Sequence, residues 1–106
     1  MVKRTEIWLV NLDPSIGSEM KKARPCVIVS PDEANKYLQT VTIAPLTSTI
    51  KPYPTRVNCS FKGKKGQVAI DQLKTIDKER LIRRLGTMDG KTIEKIFSTL
   101  QEYFSL

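Results

Sequence analysis

Pro25-Cys26-Val27-Ile28-Val29-Ser30-Pro31 constrains this chain more than any other stretch. Its apolar centre is rich in β-branched residues, too short for a helix, and closed at both ends by proline. It reads as a buried strand, Cys26 to Ser30. A buried strand needs neighbours on both edges and cover on both faces, so the rest of the chain must supply a sheet. Three cations, Lys21, Lys22 and Arg24, lead into the strand. Arg24 is the last charge before the core, which places its guanidinium at the rim of the fold. A fixed cation beside a basic loop can hold a phosphate. On the residues alone, pairing of Arg24 with a local carboxylate such as Glu19 is the simpler account.

The neighbouring strands can be read in order. Thr5 to Leu12 contains the unbroken run Ile7-Trp8-Leu9-Val10 and predicts a first strand buried on both faces. Asp13 to Ser18 is a string of turn formers, and with Glu19 to Ala23 it makes a long charged loop, read as mobile and as a possible lid. After the Cys26–Ser30 strand, Ser30 as N-cap and Pro31 at the first helical position predict a short helical turn. Thr40 to Ala44 alternates and predicts a third strand, ended by Pro45. The hydroxyl run Thr47-Ser48-Thr49 follows. It can satisfy turn backbone groups or donate to a phosphate oxygen, and the turn role is the simpler one.

Two further strands, Thr55 to Phe61 and Gln67 to Leu73, flank a glycine-bracketed basic hairpin loop, 62–66. Asp77 caps a single helical turn, and Leu81 to Met88 is a last strand. Ile93, Ile96, Phe97, Leu100, Tyr103 and Phe104 then fall on one helical face, with Asp89 as N-cap and Met88 with Ile93 as a hydrophobic staple. The sum is about six short strands closed by one helix: a small, strongly bent sheet or partly open barrel.

A chain of 106 residues is expected to make one domain, 1–106. Eighteen Lys and Arg against eleven Asp and Glu leave a net charge of +7, which suits a nucleic-acid or acidic-protein partner. Histidine is absent, which removes the commonest general base and the commonest metal ligand. Cys26 and Cys59 lie in apolar runs and read as core thiols of a reducing compartment. No metal-ligand spacing, signal peptide or membrane span is legible, so a cytoplasmic protein without metal or cofactor is expected.

Several blocks now line up with a known family. Glu6 to Pro14 followed by Gly17-Ser18-Glu19 resembles the opening of the MazF/PemK (Kid) toxins of type II toxin–antitoxin systems. Arg24 to Pro31 resembles their Arg-Pro-plus-strand signature. Ala44 to Ser48, Tyr53 to Val57, Asp71 to Asp77 and Leu85-Gly86-Thr87 match the remaining blocks in order. The resemblance implies an SH3-like small barrel of the CcdB/MazF/PemK kind, mainly β with a C-terminal helix, acting as a homodimer. It implies a metal-independent, sequence-specific endoribonuclease that cuts single-stranded RNA, chiefly messenger RNA. It also implies a cognate MazE/PemI-like antitoxin whose tail covers the RNA site. Carried across by position, the catalytic pair is Arg24 and Thr47. Glu19, Asp71 and Gln72 fall on positions that contact RNA, and Lys21 and Lys22 are read from their charge as RNA-binding, phosphate-tracking candidates. Met20, and Lys21-Lys22 in place of small residues, depart from the family pattern in the loop that helps read bases.

Without histidine, the reaction these residues suit is internal transphosphorylation, in which the substrate's own 2′-OH is the nucleophile. Arg24 would stabilise the charge developing on the phosphorane, and Thr47 would donate to a non-bridging oxygen. The proton acceptor is open between Glu19 and solvent, because arginine stays protonated. Lys62, Lys64 and Lys65 are further phosphate-tracking candidates. The competing readings are a CcdB-like toxin that binds DNA gyrase without catalysis, and a barrel that binds nucleic acid without cutting it.

Overall fold

Short β-branched runs broken by proline and glycine leave sheet formation as the way to satisfy the backbone of this chain. A computed structural model describes residues 1–106. Seven strands form: β1 (Glu6–Asn11), β2 (Ala23–Ile28), β3 (Thr40–Thr47), β4 (Arg56–Phe61), β5 (Lys64–Ala69), β6 (Lys74–Asp77) and β7 (Leu81–Thr87). Two helices accompany them, α1 (Asp32–Tyr37) and α2 (Gly90–Tyr103). The pairing path is β4-β5-β3-β2-β1-β7, all antiparallel, with β6 added to β3. The sheet bends strongly and stays open between β4 and β7, as the barrel-like reading expects.

The bend gives β1 to β3 two buried faces. Ile7, Val27, Val29, Ala44 and Leu46 face a core completed by Val57, Val68, Ile70 and α2. Val10, Cys26, Ile28, Val41 and Ile43 face a second core closed by Ile76 of β6. Within β1 only Ile7 and Val10 are fully buried, while Trp8 and Leu9 are half-buried. Shifts in the β1–β7 register between Ile7 and Trp8 and between Leu9 and Val10 break the alternation and split β1 between the cores.

Several boundaries differ from the sequence expectation, each for a local reason. β3 does not end at Pro45; it runs on to Thr47. Over Thr40 to Ile43 its outer partner is β6, and over Leu46 and Thr47 it is β5. Pro45 sits in the gap between the two, where a missing N–H breaks no ladder bond on that side. β2 begins at Ala23 rather than Cys26, because Ala23, Arg24 and Pro25 already pair with Asn11, Val10 and Leu9 of β1. The strand expected over Gln67 to Leu73 instead stops at Ala69; a 3₁₀ turn over Ile70–Gln72 redirects the chain into β6. Ser30 is not the cap of α1, whose cap is Pro31. The Ser30 hydroxyl instead bonds Asn35 Oδ1 and accepts from the Thr42 N–H.

The hairpin turn between β4 and β5 is only Lys62-Gly63, both with positive φ as the two-residue turn requires, so Lys64, Lys65 and Gly66 are strand residues. Asp89 caps α2 by accepting from the Thr92 N–H and hydroxyl. Ile93, Ile96, Phe97 and Leu100 pack on the first core, but Tyr103 and Phe104 lie past its end and are exposed. No helix is long and apolar enough to cross a membrane.

Candidate functional site

The extension of β3 beyond Pro45 and of β2 back to Ala23 creates the site. The β2–β3 register pairs Cys26 with Pro45. Continued two residues outward, it sets Arg24 against Thr47 at the ends of the two strands. Arg24 Nη1 lies 3.4 Å from the carbonyl of Leu46 and 3.5 Å from Met20 Sδ, and its Nε donates to the Lys21 carbonyl at 3.3 Å. The residue-level expectation that Arg24 pairs with Glu19 is not met: the ion pairs are Arg56–Asp71 and Arg84–Glu6. Its guanidinium is held by neutral acceptors, so its charge is not cancelled by a partner.

Thr47 does satisfy a turn, accepting from the Thr49 N–H at 3.1 Å. That bond uses a lone pair of Oγ1 and leaves the hydroxyl hydrogen available to an incoming oxygen. Behind it, Gln67 is buried directly across the ladder from Thr47. Its amide accepts from the Lys51 N–H and donates to the Lys51 carbonyl and Asn58 Oδ1, which pins the turn that follows Thr47.

The loop between β1 and β2 lines the same groove as the pair and is hydrogen-bonded along its length. Asp13 Oδ1 accepts from the Lys22 N–H, the Lys22 carbonyl accepts from the Leu12 N–H, and Arg80 donates to the carbonyls of Asn11 and Asp13. Gln72 reaches across from the 3₁₀ turn, accepting from the Met20 N–H and donating to the Ser18 carbonyl. Glu19 accepts from the Ile16 N–H at 2.7 Å within the loop.

These elements enclose a groove of about 450 Å³ whose charged lining is Glu19, Lys21, Lys22, Arg24, Lys51 and Arg56, with Thr47 beside them. Arg56 is taken up by Asp71, so four unpaired cations, Lys21, Lys22, Arg24 and Lys51, against one carboxylate make it a receptor for a polyanion, and Arg24 and Thr47 line it side by side. Of the predicted site residues, Glu19, Lys21, Lys22, Arg24 and Thr47 are thus brought together. Asp71 and Gln72 line an adjoining groove of about 350 Å³, which shares Ser18, Glu19 and Met20 with the first. Asp71 is bound there by Arg56, Nε to Oδ1 at 2.8 Å, and by the Thr55 hydroxyl at 3.0 Å. The Arg56 guanidinium, seconded by the Thr55 hydroxyl, holds the Asp71 carboxyl below its ordinary value despite burial.

Sequence reading gave no role to Arg56, Lys51 or Gln67. Arg56 stood inside a recognised block, but its partner lies fifteen residues away in sequence. Gln67 reads as an ordinary strand residue until the ladder sets it opposite Thr47.

The chain as a whole is similar to known proteins. Residues 3–104 match the family described as PemK-like, MazF-like toxins of type II toxin–antitoxin systems. The chain is 35% identical to the endoribonuclease MazF9 of Mycobacterium tuberculosis, over 100% of this chain and 98% of that protein. It is 29% identical to the endoribonuclease EndoA of Bacillus subtilis, over 95% of this chain and 92% of that one. A mycobacterial endoribonuclease solved in complex with its cognate antitoxin superposes with a TM-score of 0.82 at 26% identity, covering 96% and 93% of the two chains.

Proposed function

Because this chain belongs to the PemK-like, MazF-like toxins of type II toxin–antitoxin systems, we propose that it is the endoribonuclease of such a pair. It cleaves single-stranded RNA, acts as a homodimer and is neutralised by a cognate antitoxin that covers the groove. The observation that carries the chemistry is the meeting of Arg24 and Thr47 at the ends of β2 and β3, on the floor of a basic groove.

The substrate supplies the nucleophile. Its 2′-oxygen attacks the adjacent phosphorus, the bond to the 5′-oxygen breaks, and the products are a 2′,3′-cyclic phosphate and a 5′-OH. One proton leaves the 2′-OH and one is gained by the departing 5′-oxygen. Arg24 stabilises the charge that builds on the equatorial oxygens, and the Thr47 hydroxyl donates to one of them. Glu19 is the single carboxylate lining the groove and serves as proton acceptor, a task closed to Arg24, whose guanidinium stays protonated. Lys21, Lys22 and Lys51 track neighbouring phosphates, and Asp71 and Gln72 face bases in the adjoining groove. A gyrase-binding reading leaves the convergence of Arg24 and Thr47 without a purpose.

The test is incubation with a long, mixed-sequence single-stranded RNA in EDTA, mapping the fragment ends. Discrete cuts with 5′-OH termini are expected. Arg24→Ala and Thr47→Val should each lower kcat by roughly 10²–10³, about 2.7–4 kcal/mol, with the fold intact by circular dichroism. Intact RNA across all contexts, or unimpaired cutting by Arg24→Ala, rejects the assignment.

A further inference from the structure

Thr47, Gln67 and Asn58 stand opposite one another across β3, β5 and β4. The next row of the same ladders is Leu46, Val68 and Val57, all packed in the first core. Strand alternation therefore turns the Thr47–Gln67–Asn58 row to the other face of the sheet. Ser48 to Pro52, just beyond Thr47, is exposed and makes no backbone–backbone hydrogen bond. Two side chains of that row hold it. Thr47 Oγ1 accepts from the Thr49 N–H, and the Gln67 amide binds both the N–H and the carbonyl of Lys51, at 3.0 and 3.1 Å. Gln67 is only 4% exposed, and its third bond, to Asn58 Oδ1, fixes which way the amide faces. One side-chain amide thus does for Lys51 what a paired strand would do, because it offers an acceptor and a donor side by side.

We propose that Gln67 is a positioning residue for the cleavage step, acting through Lys51 and the Thr49 N–H to hold the Thr47 hydroxyl on the reacting phosphate. This rests on the ribonuclease reading above. Gln67 does not line the groove, so it acts through Thr47 and not on RNA. The bond from Thr49 selects one of the staggered positions open to Thr47 Oγ1 and leaves the hydroxyl hydrogen for the substrate. That bond lasts only while Thr49 keeps its place, and Gln67 anchors the segment two residues further on. A donor that aids a transition state has to be fixed before the charge develops. Loosening the anchor therefore lowers kcat.

Gln67→Met keeps the length of the side chain and removes all three bonds. At saturating RNA it should cut at the wild-type sites with kcat lower by up to roughly 10²-fold. In a Thr47→Val background the same substitution should cost nothing further, because groups that act as a unit are not additive. A Gln67 that only supports the fold would cost the same factor in both backgrounds. That result overturns the proposal, as does an unchanged kcat in the single variant. Gln67→Val, a residue that strands accept, takes the place of Gln67→Met if the latter does not fold. Amide hydrogen exchange reads the same link without RNA. The Thr49 N–H should be protected in the wild type and exchange faster in the Gln67 variant; equal protection in the two proteins overturns the link. Failure of the wild type to cut any RNA removes the ribonuclease reading first and this role with it, whatever the exchange result, so the two failures are told apart.

Discussion

Gly66 shows how one residue sets the position of another in this site. A Cβ there would stand 2.5 Å from the carbonyl oxygen of Thr47, a backbone atom that cannot swing aside. Glycine thus lets β5 approach β3 closely enough for Thr47 to hold its place in the ladder opposite Gln67. Gly66→Ala should force the strands apart, destabilise the protein by about 1–3 kcal/mol and move the Thr47 hydroxyl. The expected kinetic result, measured well below the variant's Tm, is a lower kcat; a variant that keeps wild-type kcat would show that the close approach serves packing alone. At this scale sequence was a partial guide. Arg24 and Thr47 came from ordered motif blocks. Their chemistry on residues alone pointed elsewhere, to a Glu19 ion pair for Arg24 and a turn for Thr47. The turn exists and the ion pair does not: the Arg24 guanidinium is turned to carbonyls and the Met20 sulfur, while Glu19 accepts from the Ile16 N–H through Oε1 alone.

Among the elements, the 3₁₀ turn over Ile70–Gln72 does the most for the site. It carries Gln72 to the β1–β2 loop and Asp71 to Arg56 at the start of β4. The Asp71 carboxyl is held low in the folded protein, chiefly by Arg56 and also by Thr55. A depressed folded-state pKa means stability that is complete above the ordinary aspartate value, about 3.9, and lost as pH falls through the folded value. Thermal melts should therefore show Tm falling on acidification below about pH 4. Asp71→Asn should lower Tm at neutral pH and flatten that acid limb. A variant with an undiminished acid limb would assign the effect to the other lowered carboxyls, Glu6, Asp77 and Asp89. This turn was invisible in sequence, where Gln67 to Leu73 alternates like one strand. The β6 strand was missed because Lys74-Thr75-Ile76-Asp77 carries a single apolar residue. By contrast α2 was legible through Leu100, since its period and its Asp89 cap are local properties. The length of β3 was not, since only pairing with two successive partners allows a proline within it.

The whole molecule leaves apolar surface that the proposed homodimer would cover. A folded monomer of 12.0 kDa is expected to expose about 6,000 Å². This chain exposes 6684 Å², roughly a tenth more. Part of the exposed surface is apolar: Ile82 on the edge strand β7, and Tyr103, Phe104 and Leu106 where the chain runs past its core. Tyr103 and Phe104 hold an edge-to-face pair, ring centroids 5.2 Å apart. An open sheet with free edges at β4, β6 and β7 also has ladder groups to offer. If the chain is a homodimer in solution, light scattering should give twice 12.0 kDa at micromolar concentration. Tm should then rise with protein concentration, because association stabilises the folded state by mass action. A monomeric mass with a concentration-independent Tm would reject the dimer, and it would leave the groove over Arg24 and Thr47 to act within one chain.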